Sequence, residues 1–378
     1  MTVLEYDAPV RSSGHVEFDF SKIDPAVRKE LRPLGKLDNY HAIPAVLQDF
    51  AIIAISVWLC VGVSWWFFPL SALFIGGVQR AFGHLLHESA HKVLTKNSKL
   101  NLVLGTVFSG YFILHLMNPY RNTHVGAHHR NLGDADRDPD YIFHQECGLY
   151  DPYESNVKFF TKNILMALFG FRTFTYLKYI AKDRVFTKAQ RETVSQPIGL
   201  RTEQFLLLAE WAVIFGVAAI FGWVPFVLLL WFVPMFTTGV AVGWLSELAE
   251  HYPLPESEDK QLLMTRNRRG WFIENWIFGR HHENYHLVHH LNTGIPFWNM
   301  KRAHKVLLKD PAYAAWDQIW GGVLTRPRDR KGKETLISYA SKYRDWRRSG
   351  GDPRASSTTF AEVLTLAYAG PKYPRWER

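Results

Sequence analysis

Cysteine is nearly absent. The chain has two, Cys60 and Cys147, in unrelated contexts. That excludes a disulfide framework, a Cys-rich zinc or iron–sulfur site, and a fused Cys-x-x-Cys electron-transfer module. No repeat of solenoid period is found. Residues 1–45 hold no apolar run behind an early basic cluster, so they read as a polar segment without a cleavable signal. Within it, Asp24-Pro25 predicts the cap and first turn of a short helix. Mean hydropathy is only −0.13, although aromatic residues make up 15% of the chain. The apolar residues must therefore be concentrated in patches.

Two patches carry most of them. Phe50 to Leu86 is too long for one span of ~20 residues and long enough for two short ones. It breaks at Trp65-Trp66-Phe67-Phe68-Pro69, where aromatics suit a membrane interface and proline suits a turn. Phe205 to Trp244 breaks likewise at Gly222-Trp223-Val224-Pro225. Neither break holds a Lys or Arg. Lys92, Lys96, Lys99, Lys178, Lys182, Arg184, Lys188, Arg191, Arg201, Arg266, Arg268 and Arg269 fall on the other side, which the positive-inside rule assigns to the cytosol. The net charge of +9 would suit nucleic acid or an anionic membrane surface. Its location favours the membrane, and no nucleic acid partner is expected.

The expected fold is all-α: four transmembrane helices in two hairpins, about 50–68, 70–86, 205–222 and 226–244, with a cytosolic helical cap carrying a histidine-rich di-metal site. The expected segments are a cytosolic N-terminal part (1–45), a membrane domain (46–310) and a cytosolic C-terminal part (311–378). The tail from about 345 is expected to be partly disordered. This makes a multi-pass membrane protein with both termini and the active site in the cytosol. Leu100 to Met117 is weakened as a span by Gly105, Ser109, Gly110 and His115, and is expected to be re-entrant or surface-lying. Residues 156–180 alternate basic and apolar residues, as an interfacial amphipathic helix does.

Histidine is the other concentration. His281 to His290 reads His-His-Glu-Asn-Tyr-His-Leu-Val-His-His. Neutral imidazole is the commonest protein metal ligand. His286 shares a helical face with His289 and His290. His289 and His290 point ~100° apart, which suits two metal ions better than one. A second group, His84, His87 and His91, lies on one face at the cytosolic end of the second span, with Glu88 beside it. A third is His124, His128 and His129. His251 stands alone in Glu247-Leu248-Ala249-Glu250-His251, at the end of the fourth span. Topology brings all four groups to one membrane face.

His87-x-x-x-His91, His124-x-x-x-His128-His129 and His286-x-x-His289-His290 resemble the three histidine boxes of the membrane-bound fatty acid desaturase and hydroxylase superfamily. The order, the two hairpins and the long gap before the last box also match, over roughly residues 45–310. The resemblance implies two iron ions (Fe2+) held by His87, His91, His124, His128, His129, His251, His286, His289 and His290. Some members have Asn where this chain has Glu247, a candidate catalytic residue that would bind iron directly or orient a ligand histidine. His84, His281, His282 and His304 exceed the family's count and are candidates for that supporting shell. His15, His41, His115 and His144 are assigned no role. Trp244 and Leu245 are candidate linings of a substrate tunnel. The implied chemistry uses O2, two external electrons and two protons, which desaturates an unactivated alkyl chain, most simply a fatty acyl or related lipid. Hydroxylation, alkene-forming decarboxylation of a fatty acid, and desaturation of a small specialised metabolite stay open. So does metal transport, as a different class. No haem-binding or ferredoxin-like domain is apparent in the sequence, so a separate electron donor of ferredoxin or cytochrome b5 type, with its reductase, is expected.

Overall fold

The structure, a computed structural model, describes residues 23–186, 194–257, 261–327 and 333–352. His15, Lys188 and Arg191 lie outside the described residues, as does most of the tail (353–378). Among the described residues the chain is helical, with no strand beyond one isolated bridge between Trp320 and Glu334. Helix α1 (Pro25–Leu31) starts at the expected Asp24 cap, whose carboxylate accepts from the Ala26 amide at 2.7 Å.

Three helices are long and apolar enough to cross a membrane: α2 (Ala42–Val63), α7 (Leu200–Ile220) and α8 (Val224–Glu250). The fourth expected span, 70–86, lies inside α3 (Phe68–Ala90). That helix forms, but it is not among those that meet the length and hydropathy criteria. The physical reason is its composition, with Gln79, Arg80, His84, His87 and Glu88 along its second half. Gln79, His84, His87 and Glu88 are all buried by protein. Gln79 donates to the Trp231 carbonyl at 2.9 Å, and Arg80 pairs with Glu283 at 2.6 Å. Helix α3 is thus a central post enclosed by α2, α8 and the helices after it, and its polar groups are satisfied within the protein. Gly76 makes the α3–α8 crossing close: a Cβ there would stand 2.7 Å from the Gly239 nitrogen.

Both helix breaks fall where expected. Ser64 is extended, and Pro69 sits in the first turn of α3. Gly222 takes φ +70°, a conformation that favours glycine. Trp65 stacks on Phe226 with ring centroids 6.2 Å apart, so the two tips lie together. Trp66 and Trp223 are exposed there, as interfacial aromatics are.

The segment from 100 to 117 belongs to a bent pair, α4 (Ser98–Ile113) and α5 (Met117–Asn131), with 94° between them. Leu114 makes the corner in the left-handed region, φ +60°. The excursion leaves just after His91 and brings His124 back against it, with ring centroids 5.5 Å apart. The expected single helix over 156–180 is instead interrupted at Phe169–Arg172, where Gly170 has φ +79°. Phe169, Phe171 and Phe174 are exposed around this corner.

The polar regions build a second core. Tyr313, Trp316, Trp320, Tyr339 and Tyr343 pack around Leu287, Val288 and Leu291. Val27 and Leu31 of α1 enter the same core, so sequence from both ends of the chain supports the third histidine group. Residues 345–348 end helix α12 (Leu336–Arg348) and are ordered within it; α6 (Pro139–Glu146), α9 (Phe272–Phe278), α10 (His286–Leu291) and α11 (Phe297–Leu307) complete the parts used below.

Candidate metal centre

The nine histidines of the three boxes and His251 converge in two groups. Ligand nitrogens of His87, His91, His124, His129 and His289 all lie within 4.8 Å of one another. Those of His128, His251 and His290 form a second such set. His286 joins it, with its Nε2 2.9 Å from His251 Nε2 and 3.0 Å from His290 Nε2. Neighbours therefore separate: His289 belongs to one group and His290 to the other. His128 and His129 part in the same way.

Backbone geometry assigns them. Arg121–His128 forms a π-helical turn, which closes i→i+5 rather than i→i+4. His124 consequently meets His129, five residues on, at 3.1 Å. An α-helical reading would have paired it with His128. In α10 and α3 the ordinary three- and four-residue spacing holds.

The donor set fits a pair of metal ions. The imidazoles are largely enclosed, and burial followed by neighbouring imidazoles holds His286, His289 and His290 well below the usual histidine range. Neutral rings offer lone pairs, as ligation requires. Several nitrogens are buried with no hydrogen-bond partner: both of His87, Nε2 of His91 and Nδ1 of His289. Such orphans are costly unless something binds them. The Nε2 atoms that face each other near 3 Å are arranged as ligands around a shared centre are.

Other groups fix the rings from behind. His128 Nδ1 lies 2.9 Å from Asp138 and 3.3 Å from Asp140. His251 Nδ1 faces the Met264 carbonyl at 3.1 Å. His286 Nδ1 lies 3.8 Å from Glu250, which also bonds Arg268 at 2.6 Å. Carboxylates and carbonyls in this position set tautomer and orientation. Sequence reasoning passed over Asp138 and Asp140, although an acidic run over 134–140 follows the second box closely.

A cavity of about 630 Å³ opens onto both groups through His87, His124, His128, His251 and His286. Glu247 lines it, with its Oε1 buried and without a hydrogen-bond partner. Glu247 belongs to neither histidine group. Trp244 lines the cavity too, under the Arg172 guanidinium at 4.3 Å, whereas Leu245 is packed in a core with Leu248 and Ala249. His115 and His144, assigned no role from the sequence, are part of the wall.

The extra histidines divide. His84 stacks on His87 at 5.3 Å and lines the cavity. His281 instead bonds Asp49 at 2.7 Å, His304 bonds the Tyr313 hydroxyl at 2.7 Å, and His282 packs against Tyr285. These three hold the scaffold behind α10, a structural use of histidine that spacing alone did not separate from support of the ligands. His41 stacks on Trp298 and bonds Asp38.

Comparison with known proteins follows the same lines. A family model described as fatty acid desaturase matches residues 64–320. The dihydrorhizobitoxine desaturase of Bradyrhizobium elkanii is 37% identical, over 84% of this chain and 88% of that protein. The sn-1 acyl-lipid omega-3 desaturase (ferredoxin) of Synechocystis is 24% identical, over 78% of this chain and 85% of its own length. The chloroplastic omega-6 fatty acid desaturase of Spinacia oleracea is 21% identical, over 78% of this chain and 63% of its own.

Proposed function

The chain belongs to the fatty acid desaturase family, and from that premise we propose that it is a membrane-bound di-iron desaturase acting on a small polar metabolite. Family membership makes it an oxidoreductase and sets aside metal transport. The observation that carries the substrate reading is the cavity wall. Arg80, Asp140, Arg184, Glu247 and Glu283 border the same space as the histidines. Arg80 and Glu283 pair with each other and Asp140 with His128, but Glu247 keeps a buried oxygen without a partner, which a methylene chain cannot bond and which is costly to strip of water. A polar substrate replaces that water. The relative at 37% identity is named for dihydrorhizobitoxine and not for an acyl lipid.

A fatty acyl substrate is the second reading. It is favoured by the names of the 21–24% identical relatives and by Ile113, Ile142, Met235 and Val240 in the same wall.

His87, His91, His124, His129 and His289 would hold one iron, and His128, His251, His286 and His290 the other. When bound, the pair would supply activation of O2. The balance is R–CH2–CH2–R′ + O2 + 2 e⁻ + 2 H⁺ → R–CH=CH–R′ + 2 H2O. Asp138 and Asp140 hold the Nδ1 proton of His128, which leaves its Nε2 lone pair for the metal. The Met264 carbonyl does the same for His251. Glu247 borders the substrate space and is a candidate to hold substrate or a proton there. The electrons come from a separate donor. The Synechocystis relative is named for ferredoxin, and the exposed basic residues Lys92 and Lys99 would attract such an acidic partner. The same residues, against uncharged hairpin tips, support a cytosolic site and cytosolic termini, with α4 and α5 re-entrant and the aromatic core forming the cap.

The test compares small molecules and lipids, by mass spectrometry, from cells with and without the chain, and measures iron in the purified protein. Two irons and a product two mass units lighter are expected. A product sixteen units heavier would make it a hydroxylase, and a shortened terminal alkene a decarboxylase. Zinc without a new product would overturn the di-iron reading.

A further inference from the structure

Arg184 sits on Ile180–Val185, in the wall of the cavity, and is 4% exposed. Its Nε donates to the Tyr179 hydroxyl at 2.5 Å and one Nη to the Thr123 hydroxyl at 2.7 Å. The Tyr179 and Tyr120 rings lie against it, 4.8 and 5.3 Å from the guanidinium carbon. Among the described residues no carboxylate comes within 4.0 Å of it. Asp140, on the same wall, is paired with His128. Arg80, by contrast, is paired with Glu283 at 2.6 Å. Arg172, which lies over Trp244 and donates to the Asn163 side-chain carbonyl at 2.8 Å, has no carboxylate partner among the described residues either but is only partly buried. Burying a cation is costly unless an anion compensates it. Two hydroxyls and two ring faces hold the guanidinium in place, and Asp140 stabilises its charge only through space, without a direct ion pair.

We infer that Arg184 anchors a free carboxylate of the substrate. The inference rests on the desaturase reading of the same cavity and specifies the substrate class: a carboxylic acid with an unesterified carboxylate. One buried positive charge balances one carboxylate, and the planar guanidinium matches its geometry. A phosphate monoester, at about −1.5 to −2, would be left partly unneutralised. An acyl group esterified in a lipid has no anion at this point.

Two experiments on the full chain in detergent test it. The first uses hexanoate and its uncharged counterpart hexanamide as probes in thermal melting. Hexanoate is expected to raise the melting temperature of the wild type, with at least tenfold weaker half-saturation in Arg184→Gln and an intermediate value in Arg184→Lys. Equal shifts from the two probes, or an unchanged hexanoate response in Arg184→Gln, would overturn the inference. If Arg184→Gln fails to fold, Arg184→Lys and the comparison of the two probes on the wild type still decide it. The second experiment labels the metabolite extracts with a carboxyl-selective reagent. A product two mass units lighter that takes up the label, and falls roughly ten- to a hundredfold in Arg184→Gln with iron content unchanged, supports the anchor. The same mass change in an esterified lipid would refute the anchor and leave the desaturase reading standing. No such mass change in any compound would refute the desaturase reading itself, and the probe comparison would still decide whether the cavity binds a carboxylate.

Discussion

Asp138→Asn separates two jobs that one buried side chain does. Oδ1 faces His128 Nδ1 at 2.9 Å and accepts from the Asp140 amide at 3.1 Å. Oδ2 accepts from the Gly133 amide at 2.9 Å. The Asp140 contact caps α6, and Asn caps a helix as well as Asp does. The substitution therefore keeps the cap while removing the nearer of the two negative charges behind His128, the other being Asp140 at 3.3 Å. Loss of such a partner typically costs 10- to 100-fold in metal affinity, or about 1.4 to 2.7 kcal/mol. The loss should fall mainly on the four-histidine group, where His128 clusters with His251 and His290; its link to the other group is through His124. Chelator titration of the iron-loaded protein would measure it, with metal content read at each step. The expected curve has two steps, one shifted by one to two decades and the other close to its wild-type position. Asp138→Ala should add a loss of about 1 kcal/mol in stability, from the missing cap. Unshifted chelator curves in both variants would refute the assignment of Asp138 as the partner that sets His128.

His289→Ala removes a member of the five-histidine group; it should abolish turnover and lower bound iron, while protease protection shows the spans still inserted. Retained full iron and turnover would contradict the ligand assignment. Glu247→Asn should leave iron content and the visible spectrum unchanged while product formation falls, since Glu247 lies on the cavity wall outside both groups; a changed spectrum would make it a ligand. Gly76→Ala forces a methyl against the Gly239 backbone, and overpacking of this kind costs about 1 to 3 kcal/mol. Its melting temperature should drop, and an unchanged value would mean the α3–α8 crossing relaxes freely.

Eight of the nine histidines were legible as local groups because spacing along the chain needs no tertiary information, whereas His251 stands alone and entered through topology and the family resemblance. His286, His289 and His290, or His87 and His91, share a face through local geometry alone. Both hairpin breaks were legible for the same reason: Pro69, Gly222 and Pro225 act on their own backbone. The limits appear where partners are distant. Whether His281 and His304 supported ligands depended on Asp49 and Tyr313, which no local pattern ties to them. Whether 70–86 faced lipid depended on what surrounded Arg80 and Gln79. The interruption near Gly170 was masked by a regular alternation of basic and apolar residues.

Local physics determined the apolar helices, their turns, and a set of imidazoles with no packing purpose, since each follows from residues within a turn or two. The tertiary structure decided how those imidazoles divide, five and four. That division turns on a π-helical turn that brings His124 against His129 while its ring still stacks on His128, and on a 94° corner that returns α5 to the end of α3. It also decided what surrounds the reaction space. The charged residues of that wall come from five separate segments between Arg80 and Glu283, so only the packed chain sets their charges side by side.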